Sequence, residues 1–186
     1  MHRVTLTKQQ SGFTLVELLI VAIILAILAA IIVPQFASTT TDAQESALRA
    51  NLSAFRSAND LYRQQHNGVY PGVNTSVGGT CSGTAGTGVL GTQQAIEDQL
   101  TRYSNLAGQT CSLPDAGFAF GPYIQEDVLP TNPITGSGVF VIITTGNLEM
   151  TADGANGGWK YDSAAGKIIA NDTTLDSAGI VAYSTY

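Results

Sequence analysis

A chain of 186 residues with a formal net charge of −6 has room for one domain with a core of its own and little more. The charge is unevenly placed: residues 1–12 hold Arg3 and Lys8 and no acid, while the remainder sets six basic residues against fourteen acidic ones, a net −8. That acidity argues against nonspecific phosphate binding, which is made by lysine and arginine, so no direct nucleic-acid partner is expected.

The basic end meets an apolar run. Residues 13–33 are interrupted only by Thr14 and Glu17, and at ~1.5 Å per residue a helix of that length spans roughly 30 Å, about one hydrocarbon core. A basic flank ahead of such a run is expected to stay cytoplasmic and the rest of the chain to be exported. The competing reading is a cleaved secretory signal ending before Ser38. Its apolar region is ordinarily ~7–15 residues, however, and Pro34-Gln35-Phe36 puts a bulky aromatic beside the cut. A membrane anchor is favoured. Glu17 is the anomaly, because an ionised carboxylate in hydrocarbon is costly unless it is paired or reaches the interface. Pairing with an amine and snorkelling to the headgroups both fit the residues.

The stretch Ser11-Gly12-Phe13-Thr14-Leu15-Val16-Glu17-Leu18-Leu19 resembles the leader junction of type IV prepilins and type II secretion pseudopilins, and the resemblance continues without gaps to Pro34-Gln35-Phe36. It implies that residues 1–12 are a leader removed by a membrane peptidase between Gly12 and Phe13. Phe13 would then be N-methylated, and Glu17 would pair with the Phe13 amine of a neighbouring subunit during filament docking. It also implies a transmembrane and assembly helix over residues 13–36, kinked at Pro34, where a backbone donor is lost. Many relatives have glycine where this chain has Ala26. Alanine is the better helix former by ~1 kcal/mol, so the segment before Pro34 is expected to hold its helix more firmly.

Residues 37–67 read as an amphipathic helix of the head domain. Leu48, Leu52, Phe55, Asn59 and Tyr62 recur at helical spacing, with Arg49, Arg56, Asp60 and Arg63 on other faces. Asn67-Gly68 and then Pro71 stop it. Thr39-Thr40-Thr41 is poor helix sequence and Asp42-x-x-Glu45 has the form of a capping box, so a break within residues 37–42 stays open. A helix continuous from Phe13 to His66 would be about 80 Å long. His66 falls in the last turn, where a cation would complement the helix dipole.

Residues 68–186 read as the globular head. Residues 74–92 form a glycine-rich loop. Residues 92–103 suit a short helix with Ala95, Ile96, Leu100 and Tyr103 on one side. An antiparallel sheet is expected over about 118–186. Its first clear strand is the β-branched run 139–145. Residues 159–161 and 167–170 flank a hairpin turn with Gly166 left-handed, and residues 179–186 are either a last strand or a frayed end. The expected class is α+β: a type IV pilin-like long N-terminal helix packed on a small antiparallel sheet of three or four strands.

Cys81 and Cys111 are the only cysteines, and the topology places both outside the cytoplasm. A disulfide is expected ahead of two free thiols, closing a loop worth roughly 3–4 kcal/mol in the chain-entropy model. The pair alone is too few ligands for a metal.

The head also resembles the G-type major pseudopilins. The residues that carry this are Gly68-Val69-Tyr70-Pro71, Gly121-Pro122-Tyr123-Ile124 and Leu129-Pro130-Thr131-Asn132-Pro133, the last a reduced form of that branch's longer block. Gly158-Trp159-Lys160-Tyr161 with Gly166-Lys167-Ile168 resembles the C-terminal hairpin of pseudopilin-like proteins. The G-type branch binds calcium in a C-terminal loop, and Asn147, Glu149, Asp153, Asn156 and Asp162 gather near such a loop here. Calcium wants about six to eight oxygens, and residues 151–158 lack the closely spaced acids of an EF-hand. The turn reading is preferred, calcium stays a candidate cofactor, and no metal ligand is named.

Processing would leave His66 as the last histidine, and the chain carries no nucleophile motif, phosphate loop or paired carboxylates, so no enzyme is expected. The resemblance implies a structural subunit of a type II secretion pseudopilus, polymerising through its N-terminal helix to support protein export. A type IV pilin of a surface pilus, serving adhesion, motility or DNA uptake, is the alternative. A membrane-anchored exported binding domain that does not polymerise is the third reading. Implied partners are further copies in a filament, the prepilin peptidase, an inner-membrane assembly platform with minor pseudopilins, and lipid before assembly. The implied place is the bacterial inner membrane, N-terminus cytoplasmic and head periplasmic.

Overall fold

A computed structural model describes residues 12–186. The leader expected over 1–12, with Arg3 and Lys8, lies outside the described residues except for Gly12. The chain divides into two compact units, one ending at Thr40 and one comprising Thr41–Tyr186. In order, the elements are α1 (Leu15–Gln65), α2 (Gln93–Thr101), β1 (Tyr103–Ser104), β2 (Thr110–Cys111), β3 (Phe140–Ile143), β4 (Trp159–Asp162) and β5 (Lys167–Ala170), with 3₁₀ turns at Ala155–Gly157 and Tyr183–Thr185. The architecture is α+β and type IV pilin-like: a long helix with an apolar N-terminal part, a short helix and a small sheet.

The backbone of α1 continues through Pro34 and through residues 37–42, so Asp42 does not open a new helix. One of the hydroxyls that threatened a break is turned back on the helix, Thr39 Oγ1 donating to the Gln35 carbonyl at 3.0 Å, and beyond it Ser46 Oγ donates likewise to the Asp42 carbonyl at 2.9 Å. Glu45 does not serve as a capping partner there; it is buried in the head. At the far end Asn67 (φ 56°) and Gly68 (φ 81°) turn left-handed, and the Gly68 N–H caps the Arg63 carbonyl at 2.9 Å.

Within the head unit the stripe Leu48, Leu52, Phe55, Ala58, Asn59 and Tyr62 is buried against Trp159, Tyr161, Ile168 and Ala170. Phe55 meets Phe140 and Trp159 edge-on, with ring centroids 5.8 and 5.3 Å apart. Trp159 is buried completely because its indole N–H reaches the Pro130 carbonyl at 2.9 Å. The sheet order is β3-β4-β5. The β4–β5 hairpin is antiparallel, with Trp159 opposite Ala170. Its Gly166 is required twice: φ is 67°, and a Cβ there would run into the Tyr70 ring.

The third strand departs from the expected pattern. β3 pairs with β4 in parallel, Phe140 opposite Trp159 and Ile143 opposite Asp162, so the sheet is mixed. Residues 144–158 carry the chain back to the start of β4, a crossover of the length that parallel pairing demands. Between residues 112 and 139 the pairing is limited to isolated bridges, Asp115 with Phe118 and Phe120 with Ser104. Residues 179–186 do not form a strand: Ala182 bridges Leu175, and the chain ends in the 3₁₀ turn with Tyr183 buried.

The glycine-rich loop has few side chains to pack, and α2 holds it by hydrogen bonds instead. Thr92 caps α2 by accepting from the Ala95 N–H. Buried Asp98 Oδ2 accepts from Ser76 Oγ (2.6 Å), Thr87 N (2.9 Å) and Gly88 N (3.1 Å). Buried Gln99 accepts from Gly72 N (2.7 Å) and donates to the Asn74 and Gly108 carbonyls at 3.0 and 2.9 Å. The Cys81–Cys111 disulfide, with Cα atoms 5.8 Å apart, ties the loop to β2.

His66 is not a solvated helix-end cation. It is buried, its ring stacks on Tyr62 with centroids 3.7 Å apart, and burial pushes its pKa below the usual histidine value. Nδ1 donates to the Tyr62 carbonyl at 2.8 Å, which leaves Nε2 to accept from Ser104 Oγ at 3.1 Å: a neutral imidazole.

Candidate assembly site

The first described residues of the N-terminal unit, Gly12 and Phe13, are exposed; Phe13 is 83% exposed. A Cβ placed on Gly12 would meet nothing within 4 Å, and its φ is not in the left-handed region. Nothing in the chain's own described packing therefore calls for glycine at this position.

Thr14 and Glu17 form a reciprocal cap on α1. The Glu17 N–H donates to Thr14 Oγ1 at 3.2 Å, while Glu17 Oε2 accepts from the Thr14 N–H at 3.0 Å and from its hydroxyl at 3.1 Å. This is the Ser/Thr-x-x-Glu capping box, which satisfies two of the donors that a helix N-terminus leaves orphaned. The signature that the sequence offers at Asp42-x-x-Glu45 is realised at Thr14-Leu15-Val16-Glu17 instead. The spacing rule could have found Thr14; the apolar context drew attention to Glu17 alone. The cap holds the carboxylate at the helix N-terminus through Oε2, and Oε1 makes no hydrogen bond among the described residues.

Leu15–Ile32 follows: 18 helical residues, long and apolar enough to cross a membrane, every one of them exposed in the single chain. Interrupted only by Glu17, an apolar surface of this extent is of the kind that faces lipid or other helices rather than water. Ala26 lies within it and Pro34 just beyond it, both inside α1.

Of the candidate residues in the other unit, Asn147, Asp153 and Asp162 are committed to its fold, while the Glu149 and Asn156 side chains are exposed. Asp162 Oδ2 accepts from Asn147 N (2.8 Å) and Thr145 Oγ1 (3.0 Å), and Oδ1 from Ala164 N (2.9 Å). Asp153 takes Asn171 Nδ2 (2.8 Å), Ala155 N (2.9 Å) and Lys160 Nζ (3.0 Å); the Asn171 amide foremost among these holds its pKa down to about 2. Asn147 Oδ1 accepts from Glu149 N at 2.8 Å. Each side chain closes a turn. Among the described residues no three His, Cys, Asp or Glu side chains group as a metal would need.

The family model described as the prokaryotic N-terminal methylation motif matches residues 7–33. The chain is similar to the type II secretion system core protein G of Pseudomonas aeruginosa, 42% identical over 64 residues, which are 34% of this chain and 44% of the relative. It is also similar to the core protein G of Vibrio cholerae, 36% identical over 64 residues, 34% of this chain and 43% of the relative. A fimbrial protein of Neisseria meningitidis serogroup B is 44% identical over 69 residues, 37% of this chain and 40% of the relative. The chain thus matches less than half the length of each of these curated relatives. No solved structure matches it.

Proposed function

The chain carries a prepilin-type N-terminal methylation segment on an α+β, pilin-like fold, and from this premise we propose that it is a structural subunit of a type II secretion pseudopilus, assembled through α1 to support protein export. The observation that carries the reading is a fully exposed apolar segment of α1, Leu15–Ile32, whose single acid is held at its N-terminus four residues after Phe13. On this reading a prepilin peptidase cuts between Gly12 and Phe13 and methylates the new amine. The helix waits in the inner membrane with the head on the periplasmic side. Docking then brings the Phe13 amine of one copy to Glu17 of the next. The capping box adds a detail to that step: Oε2 is occupied within its own helix, and Oε1 is the oxygen available to an incoming ammonium. The pair removes two charges from an apolar setting at once, and its gain comes from making register and association one event. Pro34 as a kink, the assembly platform and the minor pseudopilins belong to the same proposal.

A surface pilus is the second reading, favoured by the similarity to the fimbrial protein. Deleting the gene and assaying both outputs separates them. The pseudopilus account expects lost export with intact motility; lost motility with intact export supports the surface pilus. Mass spectrometry of the mature chain tests the common premise. A terminus at Phe13 carrying one extra methyl is expected, and an intact Met1 or a terminus at Ser38 contradicts both.

A further inference from the structure

The edge of the head's sheet offers a site of another kind. In the parallel ladder the Val139 carbonyl accepts from Trp159 N–H at 2.8 Å and the Ile143 carbonyl from Ser163 N–H at 3.0 Å, so odd-numbered residues of β3 turn their backbone toward β4. Even-numbered residues turn theirs outward. At the start of that outer edge the Gln93 side chain stands in for a neighbouring strand: Oε1 accepts from Phe140 N–H and Nε2 donates to the Gly138 carbonyl, both at 3.0 Å. Further along, the Phe140 carbonyl, both backbone groups of Ile142 and the Thr144 N–H have no hydrogen-bond partner among the described residues. Natural edge strands are kept single by brevity, a charge, a proline, a bulge or a covering element. Phe-Val-Ile-Ile is short and Gln93 covers its start, but it carries no charge and no proline.

Beside Thr144 lies an open groove of about 420 Å³ lined by Val69, Tyr70, Val73, Leu90 and Ser163 among others, with no charged residue in its lining. We propose that β3 and this groove together bind an extended, uncharged segment of another protein as an added strand. The unpaired backbone groups recur at strand spacing, and an extended main chain is the group that matches alternating donors and acceptors. Gln93 shows that this edge already takes an amide in that way. The groove then selects apolar side chains, because a charged one would be desolvated there without a partner. The site is distinct from the α1 surface used in filament assembly and does not depend on it.

The test uses the full chain in detergent micelles with ¹⁵N amide spectra, and as probe a capped heptapeptide of alternating valine and threonine. Saturable shifts and slowed hydrogen exchange at Ile142 and Thr144 are expected, with no such effect from the same peptide methylated on every backbone nitrogen. Thr144→Pro removes one outward donor and Leu90→Asp puts a charge in the groove. Both positions are exposed, so the fold is retained, and each variant is expected to weaken binding at least about tenfold. Three results would overturn the proposal: no saturable shift at millimolar peptide, unchanged affinity in both variants, or shifts at these amides that follow protein concentration alone, which would give the edge to a second copy.

Discussion

Two stretches of one helix solve opposite problems. Apart from Glu17, residues 15–32 of α1 are apolar on all faces and bury none of them among the described residues, whereas residues 45–66 bury a single stripe and leave the rest to solvent. In the first stretch nothing among the described residues supplies a partner, so its stability as a helix in the single chain rests on its own hydrogen bonds and the Thr14–Glu17 cap. In the second, tertiary packing supplies it. The contrast extends to the acids. Glu17 caps its own helix through Oε2 alone, while Glu45 Oε1 is used up inside the head by the Ser177 N–H at 2.7 Å and the Tyr183 hydroxyl at 3.1 Å. An unburied apolar surface and a packed stripe are thus built on one continuous helix.

The sharpest way to break this comparison is to truncate one apolar residue in each stretch. Phe55→Ala empties a site between Phe140 and Trp159 and is expected to cost about 3–5 kcal/mol of head stability in denaturant titration. Ile24→Ala should leave the head's unfolding midpoint unchanged; a matching loss would erase the distinction. Replacing both Cys81 and Cys111 by serine should cost roughly 3–4 kcal/mol, all of it in the head, with membrane insertion unaffected.

Glu45→Gln gives a smaller and more local effect. The Ser177 N–H foremost holds the Glu45 pKa below the usual carboxylate value. A lowered folded pKa means that the Glu45 contribution is present above the unfolded value and lost as pH falls through the folded one. The variant should flatten that acid limb and speed hydrogen exchange at Ser177, which Glu17→Gln should not do. His66 gives the mildest signal, with the opposite charge logic. Because burial lowers its pKa, the unfolded chain takes up the proton first, so stability should begin to fall as pH drops below about 6.5. His66→Gln should remove that slope.

What the sequence made legible follows the strength of its periodicities. The apolar run and the stripe from Leu48 to Tyr62 are long repeats of one pattern, and both are found in the structure. So are the stop at Asn67-Gly68 and the left-handed Gly166, where backbone geometry leaves little choice. The direction of β3 was not legible, since a run of β-branched residues reads the same in parallel and antiparallel pairs. The burial of His66 depends on Ser104, and the use of Glu45 depends on Ser177 and Tyr183; such long-range partners leave no local trace. At the N-terminal segment the motif itself was readable, and a family model matches it over residues 7–33. The Thr14 cap was also readable by its spacing, but a carboxylate in an apolar run invites a search for distant partners before near ones.

Glu17→Gln tests the central claim most directly, because glutamine keeps the capping box with Thr14 and removes only the charge. Filament yield from the variant, measured beside wild type at equal levels of processed subunit, is the decisive quantity. The account predicts a subunit that inserts, is cut after Gly12 and folds its head normally, yet forms no filaments. Wild-type filament yield from Glu17→Gln would show that Glu17 serves its own helix and nothing more.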